Sequence, residues 1–181
     1  MNTAKLIKKC ANNNAKAQSI LYEKYVGLLY STVFRYIKND VATEDVLLQA
    51  FLKIFNQIKE FKYINEKAFV GWMKKIAINE SLMVIRKEFS SVYKVENVEE
   101  FENALTVTSE IIDEKELLET VEQLPDGYRT VFLLYVVDGY SHKEIAESLR
   151  ITESTSRSQF FKARNLLQKK LSSYYGKAVG K

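Results

Sequence analysis

Residues 138–149 read Asp-Gly-Tyr-Ser-His-Lys-Glu-Ile-Ala-Glu-Ser-Leu, and residues 152–159 read Thr-Glu-Ser-Thr-Ser-Arg-Ser-Gln. In the first stretch, Ser141 and Glu144 have the spacing of a capping box, in which each side chain satisfies a backbone N–H at a helix start. The apolar residues that follow share one helical face: Ile145, Ala146 and Leu149. Because Ala146 is small, a second helix can cross closely. The stretch therefore predicts a capped helix that packs against a partner.

The second stretch predicts that partner helix. Residues 150–152 form a short turn, and Thr152 or Ser154 can cap the helix that follows. A stripe at steps of four, three and four predicts the buried face: Ser156, Phe160, Ala163 and Leu167. Two i,i+4 pairs lie off this stripe: Arg157 with Phe161, and Ser158 with Lys162. The whole segment has the pattern of a helix-turn-helix.

The outward residues of the second helix favour DNA binding. In helix-turn-helix proteins this helix enters the major groove, where Arg and Lys donate to guanine and Phe contacts the thymine methyl group. The alternative is an amphipathic helical hairpin whose charged face is only solvated. DNA binding is favoured because the capping box, the small crossing residue, the short turn and the basic helix occur together.

Composition predicts an all-α protein of two small helical domains. The chain has 181 residues, 46% of them hydrophobic, and its single Pro and six Gly argue against strand-and-turn architecture. Charge alternates along it. Residues 1–94 hold 16 Lys and Arg against 8 Asp and Glu, residues 95–123 hold 1 against 10, and residues 124–181 hold 10 against 5. Two basic modules thus flank an acidic connector, and basic faces suit a phosphate backbone. Ordinary solvated surface explains either basic block alone, but not the alternation as easily.

Cysteine and histidine content excludes several kinds of site. The lone Cys10 cannot form an internal disulfide and suits a reducing cytoplasm. With the lone His142, it supplies too few ligands for a Cys/His zinc site, and His142 is predicted at the surface. The N-terminus lacks the apolar core of a signal peptide, and the longest apolar run, residues 131–137, is too short to span a bilayer. We therefore expect a soluble, cytoplasmic protein without metal or cofactor.

Four helical patterns occupy the first 94 residues. A short one covers about residues 3–12, a long one residues 15–36, a third begins near Thr43, and a fourth follows a loop at 60–66. In the second helix the predicted inward residues are Ala17, Ile20, Leu21, Tyr25, Leu28 and Leu29. Those of the third are Val46, Leu47, Ala50, Phe51, Ile54 and Phe55, and those of the fourth are Phe69, Met73, Ile76 and Ala77. Together they predict a helical bundle.

The loop and the fourth helix interleave cations, aromatic rings and one amide. The residues concerned are Lys59, Phe61, Lys62, Tyr63, Lys67, Trp72, Lys74, Lys75 and Asn79. This composition suits single-stranded nucleic acid, because lysines bind phosphates, rings stack on bases and an amide can read a base edge. Taken alone, Phe61 and Trp72 are more typical of core residues, since lone aromatics at helical spacing usually pack inside.

The chain resembles the extracytoplasmic-function (ECF) sigma factors, the small two-domain members of the main bacterial sigma family. In the N-terminal half the resemblance rests on residues 44–47 (Glu-Asp-Val-Leu), residues 50–55 (Ala-Phe-Leu-Lys-Ile-Phe), residues 69–79, and the Arg-Lys pair at 86–87. In the C-terminal half it rests on residues 124–129 and the helix-turn-helix. Two motif sets occur in the family's order and spacing.

The resemblance implies a role for each motif. Residues 1–94 would dock on polymerase and melt the minus-ten element, 95–109 would be an acidic linker through polymerase or simply a solvated one, and 110–181 would read the minus-thirty-five element. Docking on the β′ clamp helices would use Glu44, Asp45, Leu47, Leu48, Phe51 and Lys53. A base flipped from the minus-ten strand would be captured by Phe61, Lys62, Tyr63, Trp72, Lys75 and Asn79. The major groove would be read by Thr155, Arg157, Ser158, Phe161 and Lys162.

The implied partners are core RNA polymerase, through its β′ clamp helices and β flap, and promoter DNA. An anti-sigma factor is a common partner in the family, but nothing in the sequence identifies its surface. The chain departs from the family pattern at Leu48-Gln49 (usually Gln-Glu), Met83 (often Asp), Arg150 (usually Gly) and Ser156 (commonly aliphatic). Arg150 would then adopt a left-handed conformation, at a cost of about 1 kcal/mol.

Two alternatives to a sigma factor remain at this stage. The first is a helix-turn-helix regulator that no longer docks on polymerase, and Leu48-Gln49 is its best support. Against it stands the rest of the first domain, which a simple repressor would not need. The second is an enzyme, which is disfavoured because the chain has one His, one Cys and no glycine-rich phosphate loop.

Overall fold

Asparagine side chains begin the first four helices of the protein. The structure is a computed structural model that describes residues 2–92 and 114–178. Asn2, Asn14, Asn39 and Asn65 each accept a hydrogen bond from a backbone N–H two or three residues ahead, at 2.8–2.9 Å. An N-cap oxygen satisfies one of the donors that a helix start leaves unpaired. These caps therefore set where each helix begins.

The four N-terminal helices are α1 (Thr3–Ala11), α2 (Ala15–Ile37), α3 (Asp40–Gln57) and α4 (Glu66–Val92). A 3-10 turn, Ile58–Glu60, follows α3 directly. The predicted bounds of α1 and α2 agree to within one residue. Helix α3 begins at Asp40 rather than near Thr43, because Asn39 caps it one turn earlier than the apolar stripe begins.

The core of the N-terminal bundle contains most of the predicted inward residues. The fully buried ones include Leu21, Leu29, Ala50, Ile54, Phe69, Met73 and Ala77. Two predictions for α2 need correction, since Ile20 is 38% and Leu28 39% exposed. Both lie just off the stripe through Ala17, Leu21, Tyr25 and Leu29, whose steps of four already fill the side of α2 that contacts the core. Ile20 and Leu28 are therefore apolar residues of the surface of α2.

The C-terminal helices are α5 (Glu114–Glu122), α6 (Asp126–Phe132), α7 (His142–Leu149) and α8 (Glu153–Ala178). A single π-helical turn, Leu133–Val137, extends α6. Helices α5, α6 and α7 all pack on α8. Of the C-terminal domain predicted over 110–181, the structure describes Glu114 to Ala178.

The helix-turn-helix prediction is confirmed in detail. Ser141 Oγ accepts from the Glu144 N–H at 3.2 Å, and Glu144 returns the contact by accepting from the Ser141 N–H at 2.8 Å. Arg150 ends α7 in the left-handed region, at φ 57° and ψ 44°. Of the two predicted caps for α8, Thr152 is the one used, since its Oγ1 accepts from the Thr155 N–H at 3.0 Å.

A buried arginine organises the start of the C-terminal unit. The Arg129 side chain is 6% exposed and pairs with Asp126 at 2.7 Å. It also donates to the Leu124 carbonyl oxygen at 3.2 Å. The guanidinium thus ties the segment between α5 and α6 to the first turn of α6. The motif at 124–129 therefore stabilises the fold of this domain.

The chain divides into two units, Met1–Lys87 and Glu88–Lys181. Within the described ranges every regular element is a helix, as the sequence predicts. The predicted linker at 95–109 and the domain limits at 94 and 110 fall outside the described residues, so those boundaries stay predictions. No described helix has the length and hydropathy to cross a membrane.

Candidate functional site

A five-residue loop, 61–65, precedes α4, and its far end is anchored by Glu66. One carboxylate oxygen of Glu66 accepts from Lys24 Nζ at 2.7 Å and from the Tyr25 hydroxyl at 3.0 Å. The other oxygen accepts from the Thr3 hydroxyl at 3.4 Å. Helices α1 and α2 therefore both hold the residue at which the loop enters α4.

Lys24 and Glu66 also shift each other's pKa. The hydrogen bond from Lys24, and then that from Tyr25, lowers the pKa of Glu66, while the bond with Glu66 raises the pKa of Lys24. The two side chains are 41% and 53% exposed, so water screens the pair and its net energy is small. The main effect of these contacts is to fix the position of Glu66, because its carboxylate accepts hydrogen bonds from three donors.

Aromatic rings connect the loop to α4. The ring of Phe61 lies 4.9 Å from that of Trp72 and 5.3 Å from that of Phe69, and Phe69 and Trp72 are 5.7 Å apart between centroids. Phe69 is fully buried, whereas Phe61 and Trp72 are half-buried. Phe61 and Trp72 thus pack against the core, as is usual for lone aromatic residues, and each remains partly accessible. Their part in binding a base stays a prediction.

Helix α4 presents the other predicted minus-ten residues on one face. Trp72, Lys75 and Asn79 recur at steps of three and four, and Lys75 and Asn79 are exposed. Because each residue advances a helix by about 1.5 Å, this face extends for about 10 Å. On the loop, Lys62 and Tyr63 are exposed as well. The structure therefore places Phe61 against Trp72 and leaves the four polar and tyrosine side chains of the predicted set exposed on the loop and on α4.

Sequence reasoning missed Ile64 at this surface. Its side chain is 77% exposed, the largest exposed fraction among the large hydrophobic residues described. An apolar residue between Tyr63 and the capping Asn65 is the signal that could have identified it. Met83, 47% exposed, extends the α4 face by a further turn.

The predicted polymerase-binding residues of α3 divide into two groups. Glu44, Asp45 and Leu48 are exposed, and Leu48 is 54% exposed. Leu47 and Phe51 are each only 3% exposed and pack in the core, where the ring of Phe51 lies 4.6 Å from that of Tyr22. Leu47 and Phe51 are therefore core residues, and the prediction that they contact polymerase is corrected.

Two further apolar residues of α3 continue the exposed group. Val41 is 71% and Leu52 56% exposed. Together with Asp45 and Leu48, they are spaced by four, three and four positions, so all four residues lie on one face of α3. Sequence reasoning missed both, although the same spacing rule that found the core stripe would have found this one. We call Val41, Asp45, Leu48 and Leu52 the α3 face.

Lys53 forms an ion pair within the N-terminal bundle. Its Nζ lies 2.5 Å from Glu80 Oε1, and the Glu80 side chain is only 10% exposed. The pair links α3 to α4 one residue after Asn79. Removing Lys53 would leave a nearly buried carboxylate without its partner, so this lysine stabilises the orientation of α4 on α3.

On α8, the predicted major-groove residues lie on its first three turns. Arg157 is 64% exposed in its side chain and pairs with Glu153 at 2.5 Å. The Thr155 hydroxyl is 2.8 Å from that of Thr152. Ser158, Phe161 and Lys162 are half-buried and point away from the buried stripe of Ser156, Ala163 and Leu167. The face is accessible, with Arg157 as its most exposed member.

His142 is more enclosed than its predicted surface position implied. Its ring stacks on Tyr135 at 4.5 Å, meets Phe160 edge-on at 5.7 Å, and its Nδ1 lies 2.9 Å from Ser156 Oγ. Burial, followed by the charge of Arg157, lowers the pKa of His142. The contact with Ser156 also explains a hydroxyl at a position that is otherwise suited to an aliphatic side chain.

Two family models match the chain. Residues 21–89 match the model of sigma-70 region 2, and residues 114–167 match that of sigma-70 region 4. Together the two models cover most of the chain. A relative above 30% identity comes from Bacillus subtilis strain 168: the ECF RNA polymerase sigma factor SigW is 31% identical over 181 aligned positions, which cover 92% of this chain and 95% of that protein. The chain belongs to the ECF RNA polymerase sigma factors.

The chain is also similar to two sigma-E factors and to a solved structure. The ECF RNA polymerase sigma-E factor of Haemophilus influenzae is 25% identical and that of Escherichia coli K12 is 28% identical, with at least 92% of each chain covered. Among solved structures, the sigma factor RpoE of Bartonella quintana, in complex with the anti-sigma factor NepR, is 18% identical with a TM-score of 0.48, covering 85% of this chain and 96% of that one.

As a sigma factor, the protein directs RNA polymerase to promoters for transcription initiation. The region 2 match contains the α3 face, the loop at 61–65 and the exposed face of α4. The region 4 match contains the helix-turn-helix and the outward residues of α8 as far as Lys162. Each candidate surface of this sigma factor thus belongs to one of the two matched regions.

Proposed function

We propose that this sigma factor reads a two-part promoter with two separate surfaces and binds core polymerase through a third. The loop at 61–65 and the exposed face of α4 capture the single-stranded minus-ten element. The outward residues of α8 read the minus-thirty-five element as duplex. The α3 face docks on the β′ clamp helices. The observation that carries the proposal is the contact of Phe61 with Trp72, which joins the loop to α4, together with the exposure of Lys62, Tyr63, Lys75 and Asn79.

The minus-ten surface has the parts that a flipped base requires. Extruding a base costs a few kcal/mol of lost stacking, which a pocket must offset. The accessible edges of Phe61 and Trp72 provide stacking area, and their packing on Phe69 holds them in place. Lys62 and Lys75 supply positive charge for the phosphates, and Asn79 offers both a donor and an acceptor.

The α8 surface suits duplex recognition. Arg157 is exposed at the N-terminal end of the second helix, which is the end that approaches base edges in this motif. Its surface pair with Glu153 is weak, so the guanidinium can exchange that carboxylate for guanine at little cost. Thr155, Ser158 and Lys162 lie beside it and can contact bases or phosphates.

The α3 face supports docking over the regulator alternative. Its three apolar side chains are each more than half exposed, and Asp45 lies among them on the same helical face. An exposed apolar stripe with charged neighbours is typical of a protein interface. Leu48, a departure from the family pattern, increases this apolar area. A regulator that had lost polymerase binding would have no use for such a stripe.

Several coarser inferences follow from the same role. We infer that the protein acts in the cytoplasm, where polymerase and promoters are found, and that nucleotide addition is left to the polymerase. Contacts with the β flap and with an anti-sigma factor stay predictions, without assigned residues.

The direct test is transcription by a reconstituted holoenzyme. Purified protein is added to core polymerase of its host, and transcripts made from genomic DNA are sequenced. We expect discrete start sites that share two upstream motifs. Core binding without such transcripts would contradict the two promoter surfaces, and absence of core binding would restore the regulator alternative.

The docking surface is tested separately with charged substitutions. Leu48→Glu with Leu52→Glu should weaken core binding at least tenfold, because two charges would be buried at an apolar contact. The matched control is Ile20→Glu with Leu28→Glu, which alters two exposed apolar residues of α2 in the same unit. Equal loss in both double variants would contradict the assignment of the α3 face.

The minus-ten surface is tested through DNA opening. Asn79→Ala should reduce permanganate reactivity of the minus-ten strand. Binding to core polymerase should be unchanged, because Asn79 is exposed and does not belong to the hydrophobic core of the bundle. Trp72→Ala should have the same effect, with some loss of folding stability because the ring also packs on Phe69. Normal melting in Asn79→Ala would overturn the role given to this amide.

A further inference from the structure

Helix α1 carries a strongly basic outward face that the proposed roles leave unused. Lys5, Lys8 and Lys9 are exposed, and Lys16 follows at the start of α2. Residues 2–22 contain no acidic residue. Within the described part of the chain, none of these four lysines forms an ion pair. Three positive charges on α1 and a fourth at the start of α2 therefore have no acidic partner among the described residues.

The structure fixes α1 beside the minus-ten loop. At the start of the loop, α1 packs on the 3-10 turn, where Ile58 joins Leu6 and Ile7 in the core. At its end, the Thr3 hydroxyl donates to Glu66 at 3.4 Å. Because α1 contacts the chain on both sides of residues 61–65, its lysines and the loop belong to one rigid neighbourhood.

The loop adds positive charge to the same region. Lys59, Lys62 and Lys67 are all exposed. Two acidic residues, Glu60 and Glu66, lie among them in the chain, and Glu66 is paired with Lys24. The basic surface proposed for the minus-ten strand thus continues onto α1.

We propose that the outward face of α1 binds the phosphate backbone of promoter DNA next to the captured minus-ten strand, and adds affinity that does not depend on sequence. This inference rests on the proposed function of the loop and extends its surface to Lys5, Lys8 and Lys9. Lysine ammonium groups bind phosphates as point charges, and each contact releases a counterion.

The chemistry of the face favours DNA over a protein partner. Its apolar residues, Leu6, Ile7 and Cys10, are all buried, so no apolar patch is offered. Protein interfaces are enriched in aromatic residues and depleted in lysine at their centres. A lysine-only face is therefore suited to an extended polyanion.

The test measures holoenzyme binding to a fork-junction DNA with a single-stranded minus-ten element and no upstream duplex for α8. Binding of the wild type and of Lys5→Gln, Lys8→Gln, Lys9→Gln combined is compared over a range of salt concentrations. We expect about tenfold weaker binding by the triple variant, and a salt slope smaller by about 2, since each phosphate contact on single strands contributes about 0.7. Arginine at all three positions should keep the slope.

The matched control removes three charges elsewhere. Lys143, Arg164 and Lys169 are exposed in the C-terminal unit, and their combined change to Gln should leave binding to this DNA unaffected. Equal loss in both triple variants would attribute the effect to net charge, and wild-type binding by the α1 variant would overturn the proposal. Weaker assembly of the α1 variant with core polymerase in the absence of DNA would assign the face to polymerase instead. If the wild-type holoenzyme failed to bind the fork, the proposed function itself would fail.

Discussion

At the scale of single residues, Arg150 holds an unfavourable backbone conformation. Its φ of 57° lies in the left-handed region, where the Cβ of an L residue approaches the next carbonyl oxygen. The turn requires this geometry, because the Arg150 and Ile151 N–H groups both donate to the Ala146 carbonyl oxygen at the end of α7. Glycine is the usual solution at such a helix end.

Arg150→Gly should stabilise the C-terminal unit by about 1 kcal/mol, because the strain on the backbone is removed. Urea unfolding followed by circular dichroism measures the change. Arg150→Ala is the control, since it removes the same side chain but keeps a Cβ, and it should bring no gain. A glycine variant that is no more stable than the alanine variant would show that the turn is not strained.

His142 makes the stability of the C-terminal unit depend on pH. Because burial lowers its pKa in the folded state, the unfolded chain binds the proton more readily. The stability from neutral His142 is therefore complete above the unfolded value of about 6.5, and is lost as pH falls through the lower folded pKa. Since this is the only histidine of the chain, its ring signals in proton NMR report the titration directly.

The control for this pH dependence is His142→Gln, which retains hydrogen bonding but does not titrate near neutrality. Its free energy of unfolding should change less between pH 7 and 5 than that of the wild type. The charges that face the ring are those of Arg157 and Glu153, so Arg157→Ala should raise the pKa of His142. A folded pKa at or above 6.5 in the wild type would contradict the enclosed position of the ring.

At the scale of elements, the contact between α3 and α4 is secured by one ion pair at the edge of the core. Lys53→Met should destabilise the N-terminal unit by about 1–3 kcal/mol, because the nearly buried Glu80 carboxylate loses its partner. Adding Glu80→Leu should recover part of this loss, since the unpaired charge is then removed. Urea unfolding of the two variants gives both values.

The matched comparison uses the exposed pair of Lys24 and Glu66. Lys24→Met should change stability by less than about 1 kcal/mol, because both groups are roughly half exposed. If Lys53→Met proved equally mild, Glu80 would have to be solvated, contrary to its burial.

At the scale of the whole molecule, the two surfaces proposed for promoter recognition belong to different units of the chain. Arg157→Ala should weaken promoter binding by about 1–3 kcal/mol and relax preference in the upstream element. Combined with Asn79→Ala, the losses in overall open-complex formation should add to within about 0.5 kcal/mol, because the two residues belong to different units. A strongly non-additive result would indicate that the two surfaces are coupled.

These effects are separated by measuring closed and open complexes on one promoter. Arg157→Ala should reduce both in proportion, while Asn79→Ala should reduce only the ratio of open to closed complexes. Unchanged upstream selectivity in Arg157→Ala would remove α8 from the role of reader.

The sequence by itself determined the local features of this protein. The capping box at Ser141 and Glu144, the left-handed Arg150 and the buried stripe of α8 depend on residues within one or two turns of each other, so the chain order specifies them. The all-helical class and the family followed from the same short-range patterns. The residues predicted to bind the minus-ten strand also came from a local pattern of cations, rings and an amide, and their role stays a prediction.

Only the tertiary structure decided which apolar residues are core and which are surface. Leu47 and Leu48 are adjacent and chemically identical, yet one is buried and the other 54% exposed, because α2 and α4 cover only one side of α3. The same holds for Ile20 and Leu28, for the pairing of Lys53 with Glu80, and for the position of α1 beside the loop. Periodicity shows that a helix has an apolar side, but packing against distant segments decides how wide that side is.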